Sequence, residues 1–231
     1  MNRRLVISDI HGCSKTFKKL VEKTGLSKTD ILFLLGDYID RGPDSCGVID
    51  FILKLQSEGF DIRPIRGNHE QEMLDAFEEY DASTFRFYAH RFKSDDLIDS
   101  YGKLKEPYHG FMKQLPFFIE LPDFFLVHGG INFELENPFA DEKQLLVLRK
   151  TYYNEEKAGK RRIVFGHQIT YFENIMAAIE NKEKLIPLDN GCVYNRPHKI
   201  YDCTRLGKLL CFDLDRFKLE MVSNIDSMSF S

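Results

Sequence analysis

Five apolar residues, Ile31 to Leu35, run without a break into Gly36 and then into Asp37, Asp40 and Arg41, in the stretch ILFLLGDYIDRGPDS. An uninterrupted apolar run of this length reads as a strand buried on both faces, as in parallel sheets. Two carboxylates and a guanidinium then sit at the edge of a core, where unpaired charge is costly. A fold that accepts this strand must bring compensating charge to its carboxyl end.

The surrounding chain has the rhythm of such a sheet. RLVIS reads as a first strand, and Ser14 can cap a helix reaching about Thr24, with Phe17, Leu20 and Val21 on one face. After DILFLL, Asp44 or Ser45 can cap a second helix with the stripe Val48, Ile49, Ile52, Leu53 and Leu55. DIRPI is a third strand, and Pro64 places it at an edge. This alternation is the βαβ pattern.

Residues 71–115 lack strand alternation and are rich in aromatic and charged side chains, which predicts a helical, cap-like insert over the sheet's rim. FFIELP and DFFLVHGG resume strand character, Ala140 to Arg149 reads as helical, and RRIVFGH is another buried strand. KLLCFDLD and RFKLEMV alternate apolar and polar residues around Asp215 and Arg216, a hairpin pattern. No repeat or linker interrupts residues 1–231, so one domain is expected.

Composition narrows the partners. A net charge of -4 lacks the basic footprint of a nucleic-acid binder and argues against an anionic membrane surface. Five cysteines, odd in number and without a CxxC pair, suggest reduced thiols rather than a disulfide framework or a zinc ribbon. The apolar run near the N-terminus, Leu5 to Ile7, is short for a signal peptide, and no apolar stretch approaches a membrane span. A cytoplasmic location is expected.

Metal-ligand residue types recur where the strands end: Asp9 and His11, then Asp37 and Asp40, then Asn68, His69 and Glu70, then His128, then His167. Ligands of open α/β sheets bind beyond the carboxyl ends of strands, so these positions can converge. Nitrogen and oxygen donors without thiolate, with one central carboxylate available to bridge, suit two divalent ions. A pair of ions about 3.5–4 Å apart is the usual arrangement for phosphate-ester hydrolysis. Such cations would compensate the buried carboxylates.

SDIHG, GDYIDRG, RGNHE, HGG and FGH, in that order, resemble the metallophosphoesterase signature of the PPP-type (calcineurin-like) phosphatases, and the bacterial and phage serine/threonine phosphatase branch in particular. The resemblance implies a four-layer α/β/β/α sandwich with two mixed β-sheets. It implies one metal held by Asp9, His11 and Asp37 and a second by Asp37, Asn68, His128 and His167, with a hydroxide between them as nucleophile. Manganese is the first choice, with iron, zinc and magnesium also compatible with such donors.

His69 is implied as the general acid, oriented by Asp40, and Arg41, Arg149 and Asn68 as phosphate ligands. The implied activity is in-line hydrolysis of phosphoserine or phosphothreonine in proteins. Alternatives are a diadenosine tetraphosphate hydrolase and, from another class, an inactive phosphate-binding module. Three positions depart from the family pattern: Ser8 stands for the usual Gly, Gln168 for Thr, and Val147 for an aromatic.

Other features carry the plainer interpretation. FRFYAHRF (Phe85 to Phe92) reads as packing, KAGKRR as a solvated loop, and His90, His109 and His198 as structural or surface residues. Cys13, beside a ligand motif, reads as a small buried thiol.

Overall fold

The computed structural model describes residues 2–195 and 199–226, so His198 lies outside the described residues. The chain runs β1 (Arg4–Ile7), α1 (Ser14–Thr24), β2 (Ile31–Leu34), α2 (Ser45–Ser57), β3 (Asp61–Pro64), α3 (Asn68–Glu79) and α4 (Ala82–Phe92). A 3-10 turn at Asp95–Leu97 precedes α5 (Tyr108–Gln114), β4 (Phe118–Glu120), β5 (Phe124–Val127) and α6 (Glu142–Val147). β6 (Arg162–Phe165), α7 (Phe172–Glu180), β7 (Leu185–Pro187), β8 (Lys208–Asp213) and β9 (Lys218–Ser223) complete it.

Two mixed sheets result. The first has the order β3-β2-β1-β8-β9, with β1, β2 and β3 parallel and β8 and β9 antiparallel. The second has the order β4-β5-β6-β7, with β4 antiparallel to β5 and the other pairs parallel. This is the α/β architecture expected, and Pro64 does end an edge strand, where its missing N–H costs no ladder bond.

The two-residue period of the strands sorts side chains into layers. Leu5, Ile7, Leu32 and Leu34 pack under α1 and α2 with Phe17, Leu20, Val48 and Ile52. Val6, Phe33, Leu35 and Phe212 face the other way and meet Phe124, Leu126 and Val164 of the second sheet. Phe125, Val127 and Ile163 face outward again, under Leu145 of α6 and the irregular segment around Phe133 and Ala158. The fourth layer is therefore thin, one short helix plus loop.

Several local expectations are revised. Cys13, not Ser14, is the N-cap of α1 and offers no side-chain bond. The Asp226 carboxylate takes the Lys15 and Thr16 amides instead, so a distant residue does the capping. α2 is capped by Asp44, whose carboxylate accepts from Gly47 N. The helix expected over 140–149 shrinks to α6 and leaves Arg149 outside it. α7 and the three-residue β7 had no counterpart in the sequence reading. In α4, Phe85 is buried but Phe87 is exposed, so only part of that aromatic run packs.

The start of β1 is tied to the loop before β2 by Asp30, a buried carboxylate that meets the Arg3 guanidinium at 2.6 Å and accepts the amides of Arg3 and Ser27 at 2.9 Å each. The Arg3 bonds hold Asp30 below the usual carboxylate range. A depressed folded-state pKa contributes stability above the unfolded value and loses it as pH falls. Asp30→Asn is expected to cost about 2 kcal/mol at neutral pH. In urea titrations its deficit against wild type should shrink once pH drops below about 4.

Candidate dinuclear metal site

The loops at the carboxyl ends of β1, β2, β3, β5 and β6 close on one point. Six of the residues there hold a left-handed backbone: Asp9, His11, Asp37, Asp40, Arg41 and His167, with φ between 47° and 68°. A non-glycine residue in that region costs on the order of 1–2 kcal/mol, and such residues gather where function imposes a conformation. Glycine is used where two backbones must touch. A Cβ on Gly36 would strike the backbone of Gly67, so the loops after β2 and β3 pass each other without side chains.

Glu70, fully buried at the start of α3, ties those two loops together. Its carboxylate accepts the amides of Asp37 and Gly67 at 2.9 Å and that of Tyr38 at 2.8 Å. The Tyr38 hydroxyl accepts the Gly36 amide and donates to the Ile65 carbonyl at 2.6 Å. Burial, together with the charge of Asp37, pushes Glu70 up to about 7.

Asp37 is the centre. His11 Nε2 lies 3.5 Å from one of its oxygens, His128 Nε2 lies 3.3 Å from the other, and the His69 amide donates to it at 3.1 Å. His11 Nδ1 faces the Ile39 carbonyl at 2.9 Å and His128 Nδ1 the Leu35 carbonyl at 2.7 Å. A carbonyl only accepts, so both rings carry a proton on Nδ1 and turn Nε2 inward. The Asn68 side-chain oxygen sits 3.0 Å from His128 Nε2 and 2.9 Å from His167 Nδ1.

Two groups of donor atoms emerge, His11–Asp37–His69 and Asp37–His128–His167, each gathered within 4.8 Å and sharing Asp37. Asp9 belongs to neither group; its carboxylate accepts the His167 amide at 3.1 Å and the Ser8 hydroxyl. Nitrogen and oxygen donors around a shared carboxylate, with ring orientations fixed from behind by carbonyls, fit divalent ions such as manganese, zinc, iron or magnesium.

The electrostatics match so dense a cluster. Burial would lower His128, but the adjacent Asp37 carboxylate lifts it to about 10. Burial and the His128 charge lower His167 to about 4. Burial and then the Arg41 charge lower His11. Asp9 is raised by burial and by Asp189, a second buried carboxylate that is itself raised to about 6.

His69 and Asp40 form a pair on one flank, Nδ1 to Oδ2 at 2.6 Å. Burial opposes charge on His69, yet Asp37 and then Asp40 raise its pKa overall. Arg41 lays NH1 against His11 Nε2 and NH2 against His69 Nε2, both at 2.8 Å. Arg149 is exposed, near enough for its charge to depress His167. His90 and His109 stay outside the site, each paired with a carboxylate on the 71–115 segment.

Comparison with known proteins identifies the family. The model of the calcineurin-like phosphoesterase family matches residues 3–212. A symmetrical bis(5'-nucleosyl)-tetraphosphatase of Buchnera aphidicola is 44% identical over 69 residues, 29% of this chain and 24% of that protein. Serine/threonine-protein phosphatase 1 of Salmonella typhimurium is 47% identical over 72 residues, 31% of each chain. The chain thus aligns with only about a quarter to a third of these curated relatives. A crystal structure provisionally named a diadenosine tetraphosphatase superposes with a TM-score of 0.70 at 20% identity, covering 98% of this chain and 95% of that one. The chain belongs to the calcineurin-like phosphoesterase family.

Glu70→Gln keeps the volume but puts an amide NH2 where backbone donors converge. It is expected to lower unfolding free energy by about 2–3 kcal/mol, read as a shifted urea midpoint in the metal-free protein.

Proposed function

We propose that this member of the family is a dimetal phosphoester hydrolase acting on phosphoserine or phosphothreonine in proteins. The observation that carries the reading is Asp37 shared between two donor groups, flanked by an Asp40–His69 pair and a guanidinium. Asp9, His11, Asp37, Asn68, His128 and His167 would hold the ions. When bound, they supply Lewis acidity and lower the pKa of an attacking water.

The chain's own groups supply the rest. Arg41 offers a planar fork to the phosphoryl oxygens, for which the ring nitrogens it now rests on are weaker partners. Arg149 and the Asn68 amide offer further contacts at the open side. Asp40 holds the Nδ1 proton of His69, so Nε2 faces the leaving oxygen and delivers a proton to it. Asp37 and Asp40 favour the charged ring that this step requires.

A groove of about 400 Å³ starts at Asn68 and runs between α3 and α6. Glu72, Asp75 and Glu142 line it against one Lys143, with Phe117, Leu146 and Val147 as apolar surface. Three carboxylates repel a polyphosphate chain and suit a polypeptide beside its phosphate. A dinucleoside tetraphosphate is the second reading, favoured by the names of the Buchnera relative and of the 0.70 structural neighbour.

Initial rates with manganese on a phosphoserine peptide and on diadenosine tetraphosphate separate the two. At least about tenfold higher kcat/KM for the peptide is expected, and the reverse preference would overturn the substrate assignment. Loss of turnover on both, and on an aryl phosphate, by metal-loaded protein would overturn the enzymatic reading.

His69→Asn is expected to retain metal by isothermal titration while slowing the peptide about 10²–10⁴-fold. An aryl phosphate, whose leaving group needs little protonation, should slow far less. Equal losses would remove the general-acid role.

A further inference from the structure

Asp40 is held from a direction that the ligand motifs do not reveal. The corner between α4 and the 3-10 turn reaches out of the 71–115 segment into the site. Its Phe92 carbonyl accepts the Arg41 amide at 2.8 Å. Two residues on, Ser94 is fully buried, and its hydroxyl touches Asp40 twice. It accepts the Asp40 amide at 3.1 Å and donates to Asp40 Oδ1 at 2.5 Å. Ser45 completes the arrangement, 3.1 Å from the same amide and 3.3 Å from the Ser94 hydroxyl. The residue so clasped has a left-handed backbone, φ 68°, and no exposed surface.

The consequence lies in how the carboxylate is divided. Oδ1 is taken by Ser94 and Oδ2 by His69 Nδ1. A carboxylate can rotate and exchange its oxygens unless each has its own partner. We propose that Ser94 is a positioning residue for His69: by occupying Oδ1 it commits Oδ2 to the ring and so sets the plane and tautomer of the imidazole. This rests on the reading of His69 as the proton donor. Without the hydroxyl, Oδ1 would be a buried acceptor lacking its donor, and the carboxylate would turn toward whatever donor remained. The strained Asp40 backbone would also lose one of its two hydroxyl acceptors. The 71–115 segment thereby acts on the chemistry while contributing no metal ligand.

The test uses Ser94→Ala in the full chain with two readouts. In manganese-loaded protein, kcat on a phosphoserine peptide should fall about tenfold or more while KM stays within about twofold. The aryl phosphate should lose less than about threefold, because its leaving group needs little protonation. In metal-free protein labelled with ¹⁵N-histidine, the downfield Nδ1 proton of His69, identified by its loss in His69→Asn, should move or vanish through exchange with water.

Equal slowing of both substrates, or an unmoved His69 proton, would overturn the proposal. Wild type inactive on both substrates would instead sink the functional reading, and the nuclear magnetic resonance comparison alone would then decide the role of Ser94. If a melting curve shows that Ser94→Ala does not fold, Ser94→Cys keeps the volume with a weaker donor. Smaller changes in the same direction would support the proposal, and none would overturn it.

Discussion

The carboxylate of Asp37 is the point on which this molecule turns. It receives His11 and the His69 amide from the first sheet and His128 from the second, so docking of the sheets and assembly of the site are one event. The apolar interface of Phe33, Leu35, Phe212, Leu126 and Val164 supplies the driving force for that docking. Its polar rim then gathers buried acids and imidazoles that have little reason to be neighbours unless something cationic is to be held. Six left-handed residues, Asp37 among them, cost on the order of 6–12 kcal/mol together. The backbone bonds of Glu70, Tyr38 and the ring-to-carbonyl contacts offset part of this, and the cores beneath offset the rest.

What could be read from the chain beforehand follows from the range of the interactions. Each donor residue lies within a few positions of a glycine at the end of an apolar strand, a short-range pattern that one sequence displays. The βαβ start and the terminal hairpin were visible for the same reason. Roles that depend on contacts across the fold were hidden. Glu70 stood in the RGNHE motif, but nothing local says that its carboxylate gathers amides from the loop after β2. Ser94 had no local signal at all, because its partner lies 54 positions away. The capping of α1 by Asp226 was likewise invisible from Ser14. β7, three residues long and ending in proline, falls below what periodicity detects.

The family match and the structural neighbours agree on fold, while the names of the relatives divide over substrate. That division has a physical basis. On the proposed reading, the strand-end loops handle a phosphoryl group and are indifferent to what it is attached to. Discrimination on that reading arises farther out, where Glu72, Asp75 and Glu142 border the groove beside Asn68. Those residues sit on α3 and α6; Glu72 also accepts the Asn68 side-chain amide at 2.8 Å, so the groove and the donor cluster share a hydrogen bond.

The order of strands in the first sheet has a further consequence, for synthesis. β1 is flanked by β2 on one side and by β8 on the other, and Leu5 pairs with Asp213 across more than two hundred residues of chain. Arg4 is likewise bonded to Asp215. A growing chain can form the first parallel pairs early, but the other edge of β1 stays open until almost all of the described polypeptide has left the ribosome. During that interval an apolar strand with unpaired amides and carbonyls is available to any passing partner. The strand that leads into Asp9 and His11 is thus made long before the strand that covers its second edge.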